Sequence, residues 1–204
     1  MQGVGNSPYF SQASNFMKVS ISRALLVAAA VVTSAPVMQA QIQMSNPMVG
    51  GQAMMRTKDI VDNAVNSADH TTLVAAVKAA GLVQTLKGPG PFTVFAPTNA
   101  AFAMLPAGTV ETLVKPENKA TLTSILTYHV VSGRFDFASL KELITKGGGT
   151  AMLKTVNGAS LTIRMNGDHN ITVADTKGNV ANISVYDVYQ SNGVILVIDK
   201  VLMP

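Results

Sequence analysis

The sequence predicts an α+β domain, because its apolar residues follow a helical period in the first part and a period of two in the last. Between residues 59 and 144, apolar positions recur at spacings of three and four. From residue 161 onwards apolar and polar residues alternate, with Asn-Gly or Lys-Gly-Asn turns between the runs. The chain has no cysteine. Its fold must therefore be stabilised by burial of apolar side chains and not by disulfides.

Residues 1–40 have the charge order of a secretory signal peptide. They contain no Asp or Glu, and Lys18 and Arg23 precede an apolar stretch over 24–32. This stretch is well short of the roughly 20 residues that span a bilayer. We therefore interpret 1–40 as an upstream extension and a signal peptide, and we expect no transmembrane anchor after its cleavage.

Translation is expected to start at Met17 and cleavage to follow Ala40. The exported domain then carries 15 − 2 = 13 basic residues against 11 acidic ones. Binding to nucleic acid takes many clustered Lys and Arg side chains, so we exclude that class of partner.

Residues 41–56 show neither a helical nor a strand period and predict a flexible, exposed linker before a domain over 57–204. The segment is rich in methionine: Met44, Met48, Met54 and Met55. Four thioethers could bind Cu(I), which prefers soft sulfur ligands. Their irregular spacing and the lack of an accompanying histidine favour a leader whose methionines bind no metal. The sequence leaves both alternatives open, a copper-binding leader and a leader without metal.

Helices are predicted over 59–67, opened by Asp59, and over 71–80, stopped by Gly81. A short helical turn follows Thr98 or Asn99. Further helices begin at Pro116 and Asp136.

Strands are predicted over 92–96 and 128–131, where β-branched and aromatic residues concentrate. Alternating runs around Ile163, Val173 and Val185 then predict an antiparallel meander. Residues 194–198 are continuously apolar, as in a central strand that is buried on both faces.

The sequence contains no motif for catalysis or for a cofactor. There is no Gly-Lys pair, which excludes a P-loop, and no nucleophile motif of a hydrolase. The three histidines, His70, His129 and His169, lack the spacing of zinc ligands. We expect His70 to be a solvated helix-cap residue, His169 a turn residue, and His129 a buried histidine that bonds to backbone. We predict no metal site, no cofactor and no enzymatic activity.

Three ordered segments resemble the fasciclin-like domain family. They are Thr-Val-Phe-Ala-Pro-Thr-Asn-Ala-Ala-Phe over 93–102, Ile-Leu-Thr-Tyr-His-Val-Val over 125–131, and Asn-Gly-Val-Ile-Leu-Val-Ile-Asp over 192–199. The resemblance covers about 57–204. It implies a fasciclin-like fold, in which an N-terminal wedge of helices packs on a small antiparallel β-sandwich.

The resemblance also implies a secreted, periplasmic or cell-surface adhesion module that binds a protein, glycan or matrix partner without catalysis. Tyr128 and His129, in the second segment, are then the candidate binding residues. An alternative function is carriage of an apolar small molecule such as a pigment, because a helical wedge over a sheet can leave an apolar cleft. Leu196 stands where the family commonly has a histidine, which argues against a histidine pair with His129.

Overall fold

The computed structural model describes residues 46–204; the predicted signal peptide, its start and its cleavage site, and also Met44, lie outside this range. The α-helices are α1 (Ile60–Ala64), α2 (Thr71–Ala80), α3 (Val83–Leu86), α4 (Asn99–Ala103), α5 (Thr109–Leu113), α6 (Lys119–Tyr128) and α7 (Phe137–Lys146). The strands are β1 (Met48–Val49), β2 (Gln52–Ala53), β3 (Phe92–Pro97), β4 (Val130–Ser132), β5 (Thr150–Lys154), β6 (Ser160–Asn166), β7 (Asn170–Ala174), β8 (Val180–Gln190) and β9 (Gly193–Ile198). Two 3₁₀ turns cover Ala68–His70 and Pro116–Asn118.

Seven strands form one sheet in the order β4-β3-β9-β8-β7-β6-β5. All neighbours are antiparallel except β3 and β9, which run parallel, with Phe95 opposite Leu196. A bridge between Val131 and Thr155 brings the two ends of the sheet together, so the sheet is nearly closed. The expected combination of helices and sheet is confirmed. The predicted antiparallel sandwich is not what forms: the sheet is mixed and barrel-like. Alternation of apolar and polar residues predicts strands but does not show whether neighbouring strands run parallel or antiparallel.

The long strand β8 bends the sheet. Its register with β9 shifts between Ile183 and Val185 and again between Val185 and Val188, and such bulges increase the local bend and twist. Asp187 lies in this region with a φ of 58°. Its Oδ1 accepts a 2.8 Å hydrogen bond from the backbone N–H of Phe137, so the irregular part of β8 also fixes the start of α7.

The paired strands β3 and β9 separate two apolar cores. Phe95 and Leu196 face the inside of the sheet, where α7 closes one end with Leu140. Val94 and Ile195 face the opposite side and pack against the helices. Both faces of these strands are therefore buried, as the continuously apolar run over 194–198 predicted.

Three helices begin at the residues that the sequence indicated. Asp59, Thr98 and Asp136 each accept a hydrogen bond from the backbone N–H three residues on. Gly81 ends α2 with a φ of 75°, a conformation that costs glycine little. Within residues 46–204, no helix is both long and apolar enough to cross a membrane.

The segment predicted as an exposed linker folds onto the domain in the part that the structure describes. β1 and β2 pair through Gly50 and Gly51, which have φ values of 60° and 73°. Val49 and Met54 are buried. Strands of two residues are too short for a period to show, which is why the sequence indicated no regular structure here.

Candidate functional site

Tyr128, a candidate binding residue, is completely buried at the end of α6. Its hydroxyl donates a 3.0 Å hydrogen bond to the carbonyl of Ser160 and accepts a 3.1 Å bond from the backbone N–H of Thr176. These contacts tie α6 to β6 and to the turn after β7. Burial raises the pKa of Tyr128, so the hydroxyl stays protonated and can donate.

His129, the second candidate, is also buried, with 3% of its surface exposed. Its Nδ1 lies 2.8 Å from the carbonyl of Ile125, which can only accept, so Nδ1 carries the proton. Nε2 accepts a 3.0 Å hydrogen bond from the backbone N–H of Leu202. Burial lowers the pKa of His129 to about 4, and the ring is neutral at physiological pH. The expected buried histidine with backbone partners is what the structure contains.

Asp175 is a third polar residue that, like His129, bonds to the C-terminal segment. Burial alone would raise its pKa, but hydrogen bonds from Asn179, Met203 and Lys177 outweigh burial and hold the pKa below its usual value. The bond from the Met203 backbone N–H is 3.0 Å long. His129 and Asp175 therefore both hold the C-terminal segment, and neither the Tyr128 nor the His129 side chain offers a surface to a partner.

A deep apolar cavity lies on the other side of β3, between the helices and the sheet. Its volume is about 80 Å³. The N-terminal part of the wall comes from the hairpin, α1 and the 3₁₀ turn. The remainder includes residues of α2, α3, the end of α6 and strands β3, β4, β8 and β9. Apolar side chains that line it include Val49, Met54, Val61, Leu73, Val77 and Leu86. Lys78 and Thr85, both exposed, stand at its rim.

His70 is part of this cavity wall and is 3% exposed. Its Nδ1 lies 2.9 Å from the hydroxyl of Ser67. Its Nε2 is buried and has no hydrogen-bond partner within residues 46–204. Burial lowers the pKa of His70; the Ala96 carbonyl and the Asp69 carboxylate offset this in part, although no acceptor meets Nε2 in hydrogen-bond geometry.

The expectation of a solvated His70 was therefore wrong. The residue lies three positions before Leu73, seven before Val77 and ten before Ala80, which are all buried. This spacing places His70 on the apolar face of α2. Extending the helical period by one turn towards the N-terminus would have indicated its burial. His169, by contrast, is exposed in the turn before β7, as expected.

The outer side of the β1–β2 hairpin is apolar and exposed. Met48 pairs with Ala53 across the hairpin, and Met55 follows two residues later. Met48 is 65% exposed and Met55 52%, while Ala53 is also exposed. We call these three residues the hairpin face. Two hydrogen bonds between Asn63 and the backbone of Met55 fix its position on α1.

A basic side chain borders the hairpin face. The guanidinium of Arg56 lies 4.5 Å from the centre of the Tyr189 ring, and its Nε donates a 3.1 Å hydrogen bond to Asn46. Asn46 in turn bonds to the carbonyl of Tyr189 at 2.6 Å. These two contacts hold the Arg56 side chain in one rotamer beside the hairpin face.

The methionines that suggested a copper site do not converge where the structure describes them. Met54 is buried in the cavity wall, whereas Met48 and Met55 are exposed on the other side of the hairpin. In the described range, no three His, Asp or Glu side chains group as ligands of a metal ion would.

Residues 68–204 match a family model described as "Fasciclin domain". The chain is 49% identical to protein sll1483 of Synechocystis over 145 residues, 71% of this chain and 73% of that protein. It is 38% identical to the immunogenic protein MPB70 of Mycobacterium bovis over 146 residues, 69% of this chain and 66% of that protein. Identity is also 38% to the cell surface glycolipoprotein MPB83 of the same species over 171 residues, 81% of this chain and 70% of that protein.

A solved structure has the same fold. The FAS1 domain pair of the insect cell adhesion molecule fasciclin I superposes with a TM-score of 0.63 at 19% identity, over 72% of this chain and 51% of that chain.

Proposed function

Because the chain belongs to the fasciclin domain family, whose members are cell-adhesion-type modules, we propose that it is an exported interaction module. It binds a protein or glycan partner through an exposed face and has no catalytic chemistry of its own. The hairpin face is the observation that carries this proposal. Exposed methionines adapt to irregular partner surfaces, and methionine and arginine are enriched in protein interfaces.

The hairpin face favours a protein partner over a glycan. Thioethers are weak acceptors and do not donate, so they offer a sugar few hydrogen bonds. Arg56 beside the face adds a fixed positive charge. The matching surface on the partner is therefore an apolar patch with an acidic group at its rim.

We propose that Tyr128 and His129 act as positioning residues. Their contacts hold α6, the β7–β8 turn and the C-terminal segment in register. Changes at these positions would weaken partner binding through loss of the fold and not through loss of a direct contact.

Export across a membrane is part of the proposal. The charge order of residues 1–40 supports a signal peptide. One relative, MPB83, is named a cell surface glycolipoprotein, which supports a similar location for this chain. A periplasmic, cell-surface or extracellular site would all present the domain to partners outside the cytoplasm.

Site-specific photo-crosslinking in the cells that produce the protein tests the interaction directly. A photoreactive amino acid replaces Met48 in one strain and Met152 in another; Met152 is 69% exposed and lies on β5, outside the hairpin. We expect one crosslinked protein band at position 48 that is missing at position 152. Identical bands at both positions, or none at position 48, would contradict a partner on the hairpin face.

The cavity favours carriage of an apolar small molecule as a second candidate function. Its apolar walls suit an apolar group, and its volume of about 80 Å³ is several times the space that one water molecule needs. Protein purified from its native cells, without detergent, would then release an apolar compound into organic solvent. Mass spectrometry and absorbance of the extract check this, and an extract identical to that of a boiled-protein blank counts against carriage.

A further inference from the structure

We propose that Asn166 is a site of spontaneous modification, at which the side-chain amide is converted to a carboxylate with loss of ammonia. The inference concerns the chemistry of the chain itself and does not depend on the proposed partner or on carriage. The sequence contains three Asn-Gly pairs, at 157–158, 166–167 and 192–193. The fold protects two of these pairs and leaves the pair at 166 free to react.

Deamidation requires a mobile asparagine side chain and a backbone N–H after it that is free to react. The backbone nitrogen attacks the side-chain carbonyl carbon Cγ and forms a C–N bond. The side-chain nitrogen leaves as ammonia, with the proton that the backbone nitrogen gives up. Water then hydrolyses the cyclic imide at either carbonyl, which yields aspartate or isoaspartate. Glycine favours the attack because it has no Cβ to obstruct it and adopts more backbone conformations.

Asn192 is protected by three hydrogen bonds. Its Oδ1 accepts from the backbone N–H of Ile60 at 3.1 Å, and its Nδ2 donates to the carbonyls of Leu86 and Gly88 at 2.8 and 3.0 Å. The next residue, Gly193, is buried at the start of β9, which lies between β3 and β8. Rotation of the Asn192 amide towards Gly193 would break the contacts with α1 and the end of α3, so we expect the amide to persist.

Asn157 is protected in the turn between β5 and β6. Its Oδ1 accepts a 2.9 Å hydrogen bond from the backbone N–H of Ala159, and its Nδ2 donates to the carbonyl of Ser124 at 3.2 Å. The attacking nitrogen is engaged as well, because the backbone N–H of Gly158 donates to the carbonyl of Thr155 at 2.9 Å. Both reacting groups must therefore leave their partners before they can meet.

Asn166 is exposed at the end of β6, in the turn that leads to β7. Among the hydrogen bonds of residues 46–204, none involves the Asn166 side chain or the backbone N–H of Gly167. A Cβ on Gly167 would meet nothing within 4 Å, so there is open space beside the attacking nitrogen. Asn166 and Asn170 form the last pair of the two strands, and such ends open most readily. The two reacting groups are therefore free to meet.

The product changes both the charge and the length of the turn. Either acid adds a carboxylate two residues before Asp168. The Lys141 Nζ, 3.4 Å from the Asp168 carbonyl, supplies a positive charge nearby. Isoaspartate also lengthens the main chain by one carbon, so the pair with Asn170 cannot keep its geometry. Because the turn is exposed, we expect the rest of the domain to keep its fold.

Peptide mapping of the purified protein tests the proposal. The protein is incubated at pH 8, folded in one sample and unfolded by urea in another, and is then digested. Mass spectrometry measures amide and acid at each of the three asparagines, and fragmentation separates aspartate from isoaspartate. In the folded protein we expect conversion at 166 to be at least tenfold faster than at 157 or 192, a difference of about 1.4 kcal/mol in the barrier.

The sample in urea separates the effect of the fold from that of the local sequence. Asn157 and Asn192 lose their hydrogen bonds on unfolding, so we expect the three rates to become similar. If the tenfold advantage of 166 persists in urea, the fold does not select the site and the proposal is overturned. Equal rates at the three sites in the folded protein, or no conversion at 166, also overturn it.

The Asn166→Gln variant gives a second measurement on intact protein. Glutamine is one carbon longer and does not form the five-membered imide, and the exposed position tolerates the change. Ion-exchange chromatography of aged wild-type protein should show a more acidic form that is missing from aged Asn166→Gln. The same amount of acidic form in both proteins would place the reaction elsewhere and contradict the proposal.

Discussion

His129 connects the end of α6 to the C-terminal segment through one neutral imidazole. It donates to Ile125 in its own helix and accepts from Leu202, 73 residues further along the chain. Leu202 is completely buried in the core inside the sheet. The side chain therefore joins the helical part of the domain to the closed end of the sheet.

Replacement of His129 by alanine should lower the free energy of unfolding by about 1–3 kcal/mol, because the N–H of Leu202 and the carbonyl of Ile125 lose their buried partner. Urea unfolding at pH 7 measures this change. His169→Ala, in an exposed turn, is the control and should be neutral within about 0.5 kcal/mol. Equal stability of His129→Ala and the wild type would contradict the role given to His129.

The pKa of His129 also makes stability depend on pH. The pKa of His129 in the folded protein is about 4, below the ordinary 6.5. Between pH 6.5 and pH 4 the unfolded chain therefore binds a proton at His129, whereas the folded chain does not. Stability contributed by the neutral ring is complete above pH 6.5 and is lost as pH falls towards 4. Between pH 7 and pH 5 this loss is about 2 kcal/mol.

The matched variant is His129→Gln, whose amide has a donor and an acceptor but does not titrate. Its free energy of unfolding should fall by about 2 kcal/mol less than that of the wild type between pH 7 and pH 5. Other titrating groups, including His70, contribute equally to the pH dependence of both proteins. Parallel pH profiles would show that His129 is not buried as a neutral ring.

The two buried histidines differ in how well the sequence predicts them. His129 follows Leu122, Ile125 and Leu126 with helical spacing, so its burial can be read from the pattern. His70 precedes the first apolar residue of α2 and has the position of a cap residue. Its burial is indicated only when the helical period of α2 is extended by one turn towards the N-terminus, past the residue that has the position of the cap.

Among the elements, the hairpin depends on a close approach of Gly50 to the chain around the 3₁₀ turn. The Gly50 carbonyl accepts a 3.4 Å bond from the backbone N–H of Ala68. A Cβ on Gly50 would overlap the Ser67 hydroxyl and lie 2.7 Å from the backbone nitrogens of Ala68 and Asp69. A Cβ on Gly51 would meet nothing within 4 Å.

Gly50→Ala and Gly51→Ala form a matched pair, because both residues have a positive φ and only one is crowded. Each variant should lose about 1 kcal/mol to backbone strain, and Gly50→Ala about 1–3 kcal/mol more to overlap. Urea unfolding of the two variants measures the difference. If they are equally stable, the hairpin does not pack on Ser67 as described.

Helices were easier to predict than strand pairing for a physical reason. The caps at Asp59, Thr98 and Asp136 are local interactions over three residues, so the sequence indicates them directly. Pairing of β3 with β9 joins residues about 100 positions apart. A continuously apolar run is compatible with a parallel or an antiparallel neighbour, so the sequence does not indicate the direction of this pairing. The closure of the sheet through Val131 and Thr155 is likewise a property of the assembled sheet.

In the described domain as a whole, the residues with structural roles are not those of the proposed binding face. The family segments around β3, α6 and β9 contribute residues to both cores, and Tyr128 and His129 are buried. The hairpin face lies within residues 48–55, before the segments that carry the family resemblance, whereas the cavity is lined by this region and by later residues as far as Ile195. The family could therefore be recognised from the sequence, while the candidate binding surfaces could not.

The hairpin face is the proposed surface through which the module recognises a protein partner. The most direct test is the Kd for the crosslinked partner, measured with the Met48→Gln/Met55→Gln double variant and with Met152→Gln. All three methionines are more than half exposed, so the substitutions should leave the fold intact. We predict at least tenfold weaker binding for the double variant, about 1.4 kcal/mol, and wild-type binding for Met152→Gln. Equal affinity of both variants for the partner would contradict the claim.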